Sequence, residues 1–401
     1  MVKEKGEAKA TKRSVDFSFS LTLFSWDLLE NFNNNIMESI LSKYAKLLVH
    51  YCVELQAGEK LYVRSTTLAE PLVREVYRHA LRAGGIVELD IEFRGRNRIF
   101  LEEAEKHQLE YISPVYKQAM EEFDAYIFIR APFNLKENSN VPKGKSGIRS
   151  RALKDLSNTY FKRTGTRSLK RNLCQYPTQA SAQNAGMSLE EYEKFIFSAC
   201  NLYAEDPQQE WLNRRKDQQK IVDLLNKRNK VQYKGEGIDI TFSTEGRTWI
   251  NSDGQTNMPS GEVYTCPVEN SANGVVHFSL PAIYMGEEVE GVTLWVKDGY
   301  VEKWEAKRGQ AFMDKVLQLD GARRFGEAAI GTNYNINRFT KNILFDEKIG
   351  GTIHMALGQS YFQTGGKNQS DIHWDMIGDM KNGGAIYADD EKIYENGLFL
   401  F

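Results

Sequence analysis

The sequence predicts an α/β protein, with a layered β-α-β domain in its N-terminal half and a mixed α+β domain in its C-terminal half. Three observations carry that expectation. Strand-like and helix-like segments alternate between residues 59 and 132, the pattern of parallel β-α-β units packed in layers. Near residue 230 the texture changes to short strands joined by tight turns. The 401 residues are also more than one hydrophobic core usually organises, so two domains are expected. The N-terminal domain, with a helical connector, is assigned to residues 37–230 and the C-terminal domain to 231–401. Residues 1–36 are set apart as an N-terminal extension.

The extension begins "MVKEKGEAKATKR", a charged lead of disorder-prone composition. "SVDFSFSLTLFSWDLLENF" then alternates Phe and Ser too regularly for the continuous apolar stretch of a signal peptide. Domain sequence starts at Met37, either as a natural start or after an accessory arm. In "MESILSKYAKLLVHYCVEL" the residues Ile40, Leu41, Tyr44, Leu47, Leu48 and Tyr51 recur at helical spacing. "EKLYVRS" reads as a strand, "EPLVREVYRHALRAGG" as a helix closed by Gly84, and "IVELDIEF" as a second strand. "FLEEAEKHQLEYISPVYKQAMEEF" is again helical, and "DAYIFIRAP" reads as a buried strand ended by Pro132. A doubly wound N-terminal domain follows.

Residues 143–171 are basic, holding Lys143, Lys145, Arg149, Arg151, Lys154, Lys162, Arg163, Arg167, Lys170 and Arg171 against Asp155. "GKS" at 144–146 is not a phosphate loop, because Ser139 stands where the leading glycine is required. The stretch reads as a solvated helix face, with an anion or nucleic-acid surface as the rarer alternative. Ser188 lies three residues before Glu191, a capping-box spacing that opens the helical connector. Beyond it "KVQYKG", "GIDITFST", "RTWINSD" and "TLWVKDGYVEKWEA" are short strands, with a hairpin at Asp298-Gly299.

Composition narrows the function classes. A hydrophobic share of 41% and a net charge of −2 describe an ordinary globular protein, not one built to coat nucleic acid or an acidic membrane. No run reaches the ~18 apolar residues of a membrane span. Cys52, Cys174, Cys200 and Cys266 form no C-x-x-C pair, and scattered thiols without a secretory signal suggest a cytoplasmic home.

Candidate chemistry gathers in four segments of the second half. "NMPSGEVYTCP" offers Glu262 in a turn, "RRFGEAAIGTNYNIN" offers Glu327 between two glycines, "GGTIHMALGQSY" offers His354 and Tyr361, and "SDIHWD" offers His373 and Asp375. On a helix His354 and Tyr361, seven apart, would share one face. On a strand His373 and Asp375 point the same way. Imidazole with carboxylate suits borderline divalent cations such as zinc or cobalt, and two ions close together need a shared carboxylate. Taken singly, each residue has an ordinary role open to it: a helix cap, a solvated acid, a packed aromatic, a local hydrogen-bond pair. Spacing alone therefore stops at a possible metal site, since H-E-x-x-H is absent.

Together "NMPSGEVYT", "GEAAIGTN", "LFDEKIGGTIHMALG", Tyr361 and "IHWDM" resemble the thermophilic-type metalloaminopeptidases, the aminopeptidase T, aminopeptidase S and PepS family. "LYVRSTTLAEPLVREVYRHALRAGG" and "GMSLEEYEKFIF" resemble that family's N-terminal half. The resemblance implies a two-metal exopeptidase with Glu262, Glu327, His354, Tyr361, His373 and Asp375 as ligands. It makes residues 231–401 a metal-binding catalytic domain. Two divalent ions (zinc, cobalt, manganese or magnesium) would activate the water that removes N-terminal residues from short peptides. Glu262 and Glu327 are the two candidates for the proton shuttle, and Tyr361 would ligate a metal or donate to the developing oxyanion. A homodimer around an enclosed chamber is also implied. Residues 1–36 and a short connection between Tyr361 and His373 depart from the family pattern. A dinuclear hydrolase of another amide or a phosphoester, and a non-enzymatic anion- or nucleic-acid-binding α/β protein, remain the alternatives.

Overall fold

The computed structural model describes residues 40–142 and 144–401. The expectations for residues 1–36, and the basic residue Lys143, lie outside the described residues.

Strands β1 (Lys60–Thr66), β2 (Ile86–Glu92), β3 (Ala125–Arg130) and β4 (Lys170–Gln175) pair in parallel in the order β2-β1-β3-β4. The chain turns outward from β1 in both directions, which is the doubly wound arrangement the alternation predicted. Leu61, Val63, Ile127 and Ile129 pack on one face with Leu72, Val76 and Ala80 of helix Glu70–Arg82. Tyr62 and Tyr126 pack on the other with Ala119, Met120 and Leu156, from helices Pro114–Glu122 and Lys154–Gly165. The opening helix spans 40–46 and widens into a π-helix at Leu47–Cys52, with Leu47, Leu48 and Tyr51 buried as its spacing predicted.

The stretch 100–123 is helical as expected, in three short helices: Arg96–Glu103, Lys106–Glu110 and Pro114–Glu122. A capping box between Glu105 and Gln108 starts the second, and Pro114 can only begin a helix, not continue one. The basic stretch explains itself here. Lys145 Nζ donates to the carbonyl of Glu102 at 2.7 Å, Arg149 to that of Leu109 at 3.1 Å, and Arg163 to that of Met120 at 2.9 Å. Each cation thus satisfies the C-terminal carbonyls of one of the three helices, where the helix dipole favours positive charge. These three residues serve the fold rather than a solvated face.

The connector begins as predicted: Ser188 Oγ accepts from Glu191 N at 3.2 Å, and the Glu191 carboxylate accepts from Ser188 N at 2.9 Å. It is two helices, Leu189–Ala199 and Pro207–Leu225. The second carries Trp211 in the N-terminal core and Ile221, Val222 and Leu225 in the other core.

The rest is largely antiparallel. In chain order come β5 (Lys230–Gly235), β6 (Ile238–Ser243), β7 (Ile250–Ser252), β8 (Asn257–Met258), β9 (Glu262–Thr265), β10 (Asn273–Phe278), β11 (Ala282–Tyr284) and β12 (Glu287–Val289). They are followed by β13 (Val292–Lys297), β14 (Tyr300–Glu305), β15 (Phe325–Gly331), β16 (Thr352–Gly358), β17 (His373–Asp379), β18 (Ala385–Ala388), β19 (Glu391–Glu395) and β20 (Leu398–Phe399). An eight-stranded sheet runs β14-β13-β10-β6-β5-β18-β19-β20, and a five-stranded one runs β17-β16-β15-β9-β7. The hairpin between β13 and β14 turns at Asp298 and Gly299, both in the left-handed region, as the Asp-Gly pair predicted.

Chain segments past residue 230 also enter the first half. Strand β8 pairs in parallel with β4, and Ile336, Leu344, Phe345 and Ile349 join the N-terminal core. We retain the division near residue 230 as a proposal, on the ground that the connector helix spans the two cores. Among the described residues no helix is long and apolar enough to cross a membrane.

Candidate metal centre

The five-stranded sheet has two chemically different faces, and strict alternation along its strands produces them. On one face Val263, Ala328, Ile330, Ile353, Met355, Leu357, Trp374 and Met376 enter the hydrophobic core. On the other face lie the residues in between. Cross-strand partners share a face, and the register pairs Glu262 with Gly331, Tyr264 with Ala329, Ala329 with His354, Ala356 with both Glu327 and Asp375, and Gly358 with His373. Glu262, Glu327, His354, His373 and Asp375 therefore project from four neighbouring strands to one side. The residues among them are Ala329, Ala356, Gly331 and Gly358, whose small side chains leave room above the sheet. Gly358 holds φ at +103°, and a Cβ there would stand 2.2 Å from the carbonyl oxygen of Ile372. No other residue fits that turn out of the strand.

His354 sits in β16 and Tyr361 three residues past its end, so the helical-face expectation for this pair is wrong. The run T-I-H-M-A-L-G alternates with period two. The chain leaves the strand at Gly358 and folds back, which brings Tyr361 Oη to 3.2 Å from His373 Nε2. Glu262 is the first residue of β9 rather than part of a turn. Gln218 of the connector helix donates to its carbonyl at 3.2 Å and so braces that strand.

The polar atoms converge. His354 Nε2 lies 3.4 Å from Glu262 Oε2 and 3.6 Å from Glu327 Oε1. His373 Nε2 lies 3.0 Å from Glu327 Oε2 and 3.5 Å from Asp375 Oδ1. His373 Nδ1 is 2.8 Å from the carbonyl oxygen of Gln359. A carbonyl only accepts, so Nδ1 carries the proton and Nε2 is turned to the cluster. Burial opposes charge on both imidazoles, yet the carboxylates outweigh it: Glu327, Glu262 and Asp375 hold His354 up at about 9. His373 is likewise held well up, first by Asp375. The histidines in turn overcome burial at Asp375, whose carboxyl is drawn down to about 2. Tyr361 is 38% exposed, but burial of its hydroxyl and the charges of Glu327 and Asp375 push its pKa well above the usual tyrosine value.

These residues fit a cation. Glu262 Oε2, Asp375 Oδ1 and both ring nitrogens of His354 are buried without a hydrogen-bond partner, a costly state for polar atoms. Ligating atoms of Glu262, Glu327 and His354 lie within 4.8 Å of one another, and so do those of Glu327, His373 and Asp375. Glu327 belongs to both sets. A third set joins Glu347 to His354 and Asp375. Glu347, with the adjacent Lys348, is what the sequence reading missed, although both lie inside the quoted "LFDEKIGG". Lys348 is fully buried, paired with Glu347, and its Nζ is 3.5 Å from Glu262 Oε1. Tyr264 was also missed; its ring lies 5.6 Å from that of Tyr361.

A family model described as thermophilic metalloprotease (M29) matches residues 37–399. The chain belongs to that family. Among curated relatives of this M29 chain, Aminopeptidase 2 of Geobacillus stearothermophilus is 29% identical, over 82% of this chain and 85% of the relative. Aminopeptidase PepS of Streptococcus thermophilus is 27% identical, over 92% of this chain and 99% of the relative. The solved structure of wild-type AmpT from Thermus thermophilus superposes with a TM-score of 0.77 at 23% identity, covering 90% of this chain and 99% of that one. This likeness bears out the two-part α/β fold. Family and relatives likewise bear out the reading of the chain as a metalloaminopeptidase, an exopeptidase hydrolase, which uses a divalent metal and acts on peptides.

Proposed function

We propose that this M29 enzyme is a two-metal aminopeptidase that trims short peptides from a free N-terminus, with Glu262, Glu327, His354, Tyr361, His373 and Asp375 as its metal-site residues. One observation carries the two-metal reading: the two oxygens of Glu327 face different histidines, Oε1 toward His354 and Oε2 toward His373. A carboxylate so placed can serve two cations at once and offset their repulsion. Glu262 and His354 would complete one position, and His373 and Asp375 the other. Mixed imidazole and carboxylate ligands accept zinc, cobalt, manganese or magnesium, so the donor set does not single out one metal. When bound, such ions polarise the scissile carbonyl and lower the pKa of water from ~15.7 toward ~7.

The remaining work belongs to the side chains. Tyr361, kept neutral by its surroundings, presents a hydroxyl at the cluster that can donate to an oxygen gaining negative charge. A carboxylate, Glu262 or Glu327, passes a proton to the leaving nitrogen. A free α-amine, with an ordinary pKa near ~7.7–8.0, is partly neutral at pH 7 and can bind at a cation, or stay protonated and pair with a carboxylate. Either way the first peptide bond is fixed over the cluster, which makes the reaction effectively intramolecular. We extend the proposal to a homodimer in the cytoplasm, from the resemblance and from the scattered thiols; all four cysteines are buried and free.

The test pairs metal analysis with substrate choice. Purified protein should carry two divalent ions per chain, placed by anomalous scattering at the two ligand sets. Matched free and N-acetylated peptides, followed by mass spectrometry, should show stepwise loss of N-terminal residues from the free forms alone. Internal first cuts, or equal cleavage of both forms, would exclude an aminopeptidase.

A further inference from the structure

The basic stretch ends in a cation that the fold does not use. Lys145, Arg149 and Arg163 serve helix carbonyls. Arg167 pairs with Glu54 and Lys170 with Glu59, while Arg151, Lys154 and Lys162 are exposed to water. Arg171 is half-buried and, among the described residues, makes no ion pair. It lines a cavity of about 340 Å³ whose walls include Tyr116, Phe128, Tyr160 and Phe161. That volume suits a small ligand, and Phe161 is 69% exposed, so apolar surface is open to receive one. By contrast Arg64, whose guanidinium also lies over Tyr116 and Phe128, is neutralised by Asp90 and Glu92. A cation drawn partly out of water gains more from an anion than one on the surface. Arg171 is left to meet an anion from outside.

The cavity adjoins the metal centre. Arg171 stands opposite Tyr126 and Leu173 opposite Phe128 on β3, and Leu173 stands opposite Asn257 on β8, so these side chains share one face of the sheet. From β8 the chain runs on to Glu262 and Tyr264 of β9. The charge of Arg171 reaches the hydroxyl of Tyr160. It also reaches that of Tyr264, as do the charges of Glu327 and Glu262. Tyr264 in turn packs edge-on against Tyr361. The unpaired guanidinium and the candidate ligands are thus joined through one tyrosine.

We propose that Arg171 is a specificity-determining residue that holds the free C-terminal carboxylate of a short peptide, whose last side chain rests on the aromatic walls while its N-terminus lies at the metal centre. The inference rests on the aminopeptidase reading above and adds what recognises the far end of the substrate. The planar guanidinium fork matches a carboxylate with two parallel hydrogen bonds. Aromatic walls beside it accept an apolar side chain. Arg171 stands on a strand of one sheet and the ligands on strands of another, so their separation is fixed. An extended chain advances ~3.3–3.6 Å per residue, and one peptide length should therefore fit best.

The experiment compares kcat/KM of the metal-loaded full chain on di- to hexaalanine, each as the free acid and as the C-terminal amide. Wild-type enzyme should favour the acid by ~10–100-fold at its best length, the worth of hydrogen bonds to a charged group, with the difference carried by KM. Arg171→Gln should bring the acid down to the amide and erase the preference. Equal rates on acid and amide at every length, or a preference that survives in Arg171→Gln, would overturn the proposal. So would an equal drop on both forms, the result expected of an arginine needed only for structure. If Arg171→Gln fails to fold, Arg171→Lys keeps the charge and loses the fork. It should narrow the preference, and an unaltered preference would overturn the proposal. Wild-type enzyme that releases no N-terminal residue from any of these peptides would instead refute the aminopeptidase reading and the inference with it.

Discussion

Glu327 is where the largest single effect is expected. Both its oxygens face imidazoles, so Glu327→Gln trades one carboxylate oxygen for an amide nitrogen that cannot ligate. On the two-metal proposal, metal content should fall to one ion per chain or fewer, read by elemental analysis, and kcat should fall with it. If two ions remain and kcat alone drops by ~10²–10⁴, Glu327 is a proton carrier and not a bridge. The imidazoles give a pH signature. Without metal, His354 is held at about 9 against an ordinary value of 6.5. Its contribution to stability is therefore fully present below pH ~6.5 and is lost as pH rises through about 9. Melting in the presence of a chelator should become easier across that window. Zinc must displace these protons, so zinc affinity should rise over the same range, with proton release seen by calorimetry in buffers of different ionisation enthalpy. A flat profile in both measurements would contradict the electrostatics of the cluster.

Single elements decide how much of the fold and site was legible. The alternation of Ile353, Met355 and Leu357 with His354, Ala356 and Gly358 is plain in the sequence, and on a strand it sorts core from chemistry. It was passed over for His354 and Tyr361 because a seven-residue interval also fits two helical turns. The helical reading of 100–123 left the breaks unplaced for a related reason: apolar spacing survives a break, while Pro114 and the cap at Glu105 carry the boundary. Glu347 and Lys348 were hidden because two adjacent charges look solvated. Only the apolar neighbours Phe345 and Ile349 hint that the pair is enclosed. His373 and Asp375 were the easiest to place, since a strand puts alternate residues on one side whatever its neighbours are. A further prediction belongs at this scale. Gly358→Ala puts a methyl 2.2 Å from the Ile372 carbonyl at a positive φ. It should cost at least ~1–3 kcal/mol of stability, with lower metal affinity, because His373 pairs with this position. Denaturant melts and zinc titration of the variant check both; unchanged stability would mean that the turn relaxes freely.

At the scale of the whole molecule, the candidate site-residue motifs and the family match both fall between residues 37 and 399. Deleting residues 1–36 should leave zinc content, kcat and light-scattering mass unchanged. A drop in light-scattering mass or a loss of activity would make the extension a working part and refute Met37 as the start of the functional unit. The connector helix Pro207–Leu225, which contributes side chains to both cores, makes a second whole-chain expectation. Unfolding followed by fluorescence and by catalysis should coincide in one transition, since Gln218 on that helix braces the strand of Glu262. Two separated transitions would show that the halves melt alone.

The two-faced sheet also has a use for anyone redesigning this enzyme. Positions 353, 355 and 357 pay into folding, whereas 354, 356 and 358 face the cluster. Ala356, beside both Glu327 and Asp375 in register, shares the ligand face with Ala329 and carries only a methyl there. A cysteine or serine at this position would add a donor without asking the interior to repack. Libraries confined to such alternate sites can explore new reactivity while inheriting the parent's robustness.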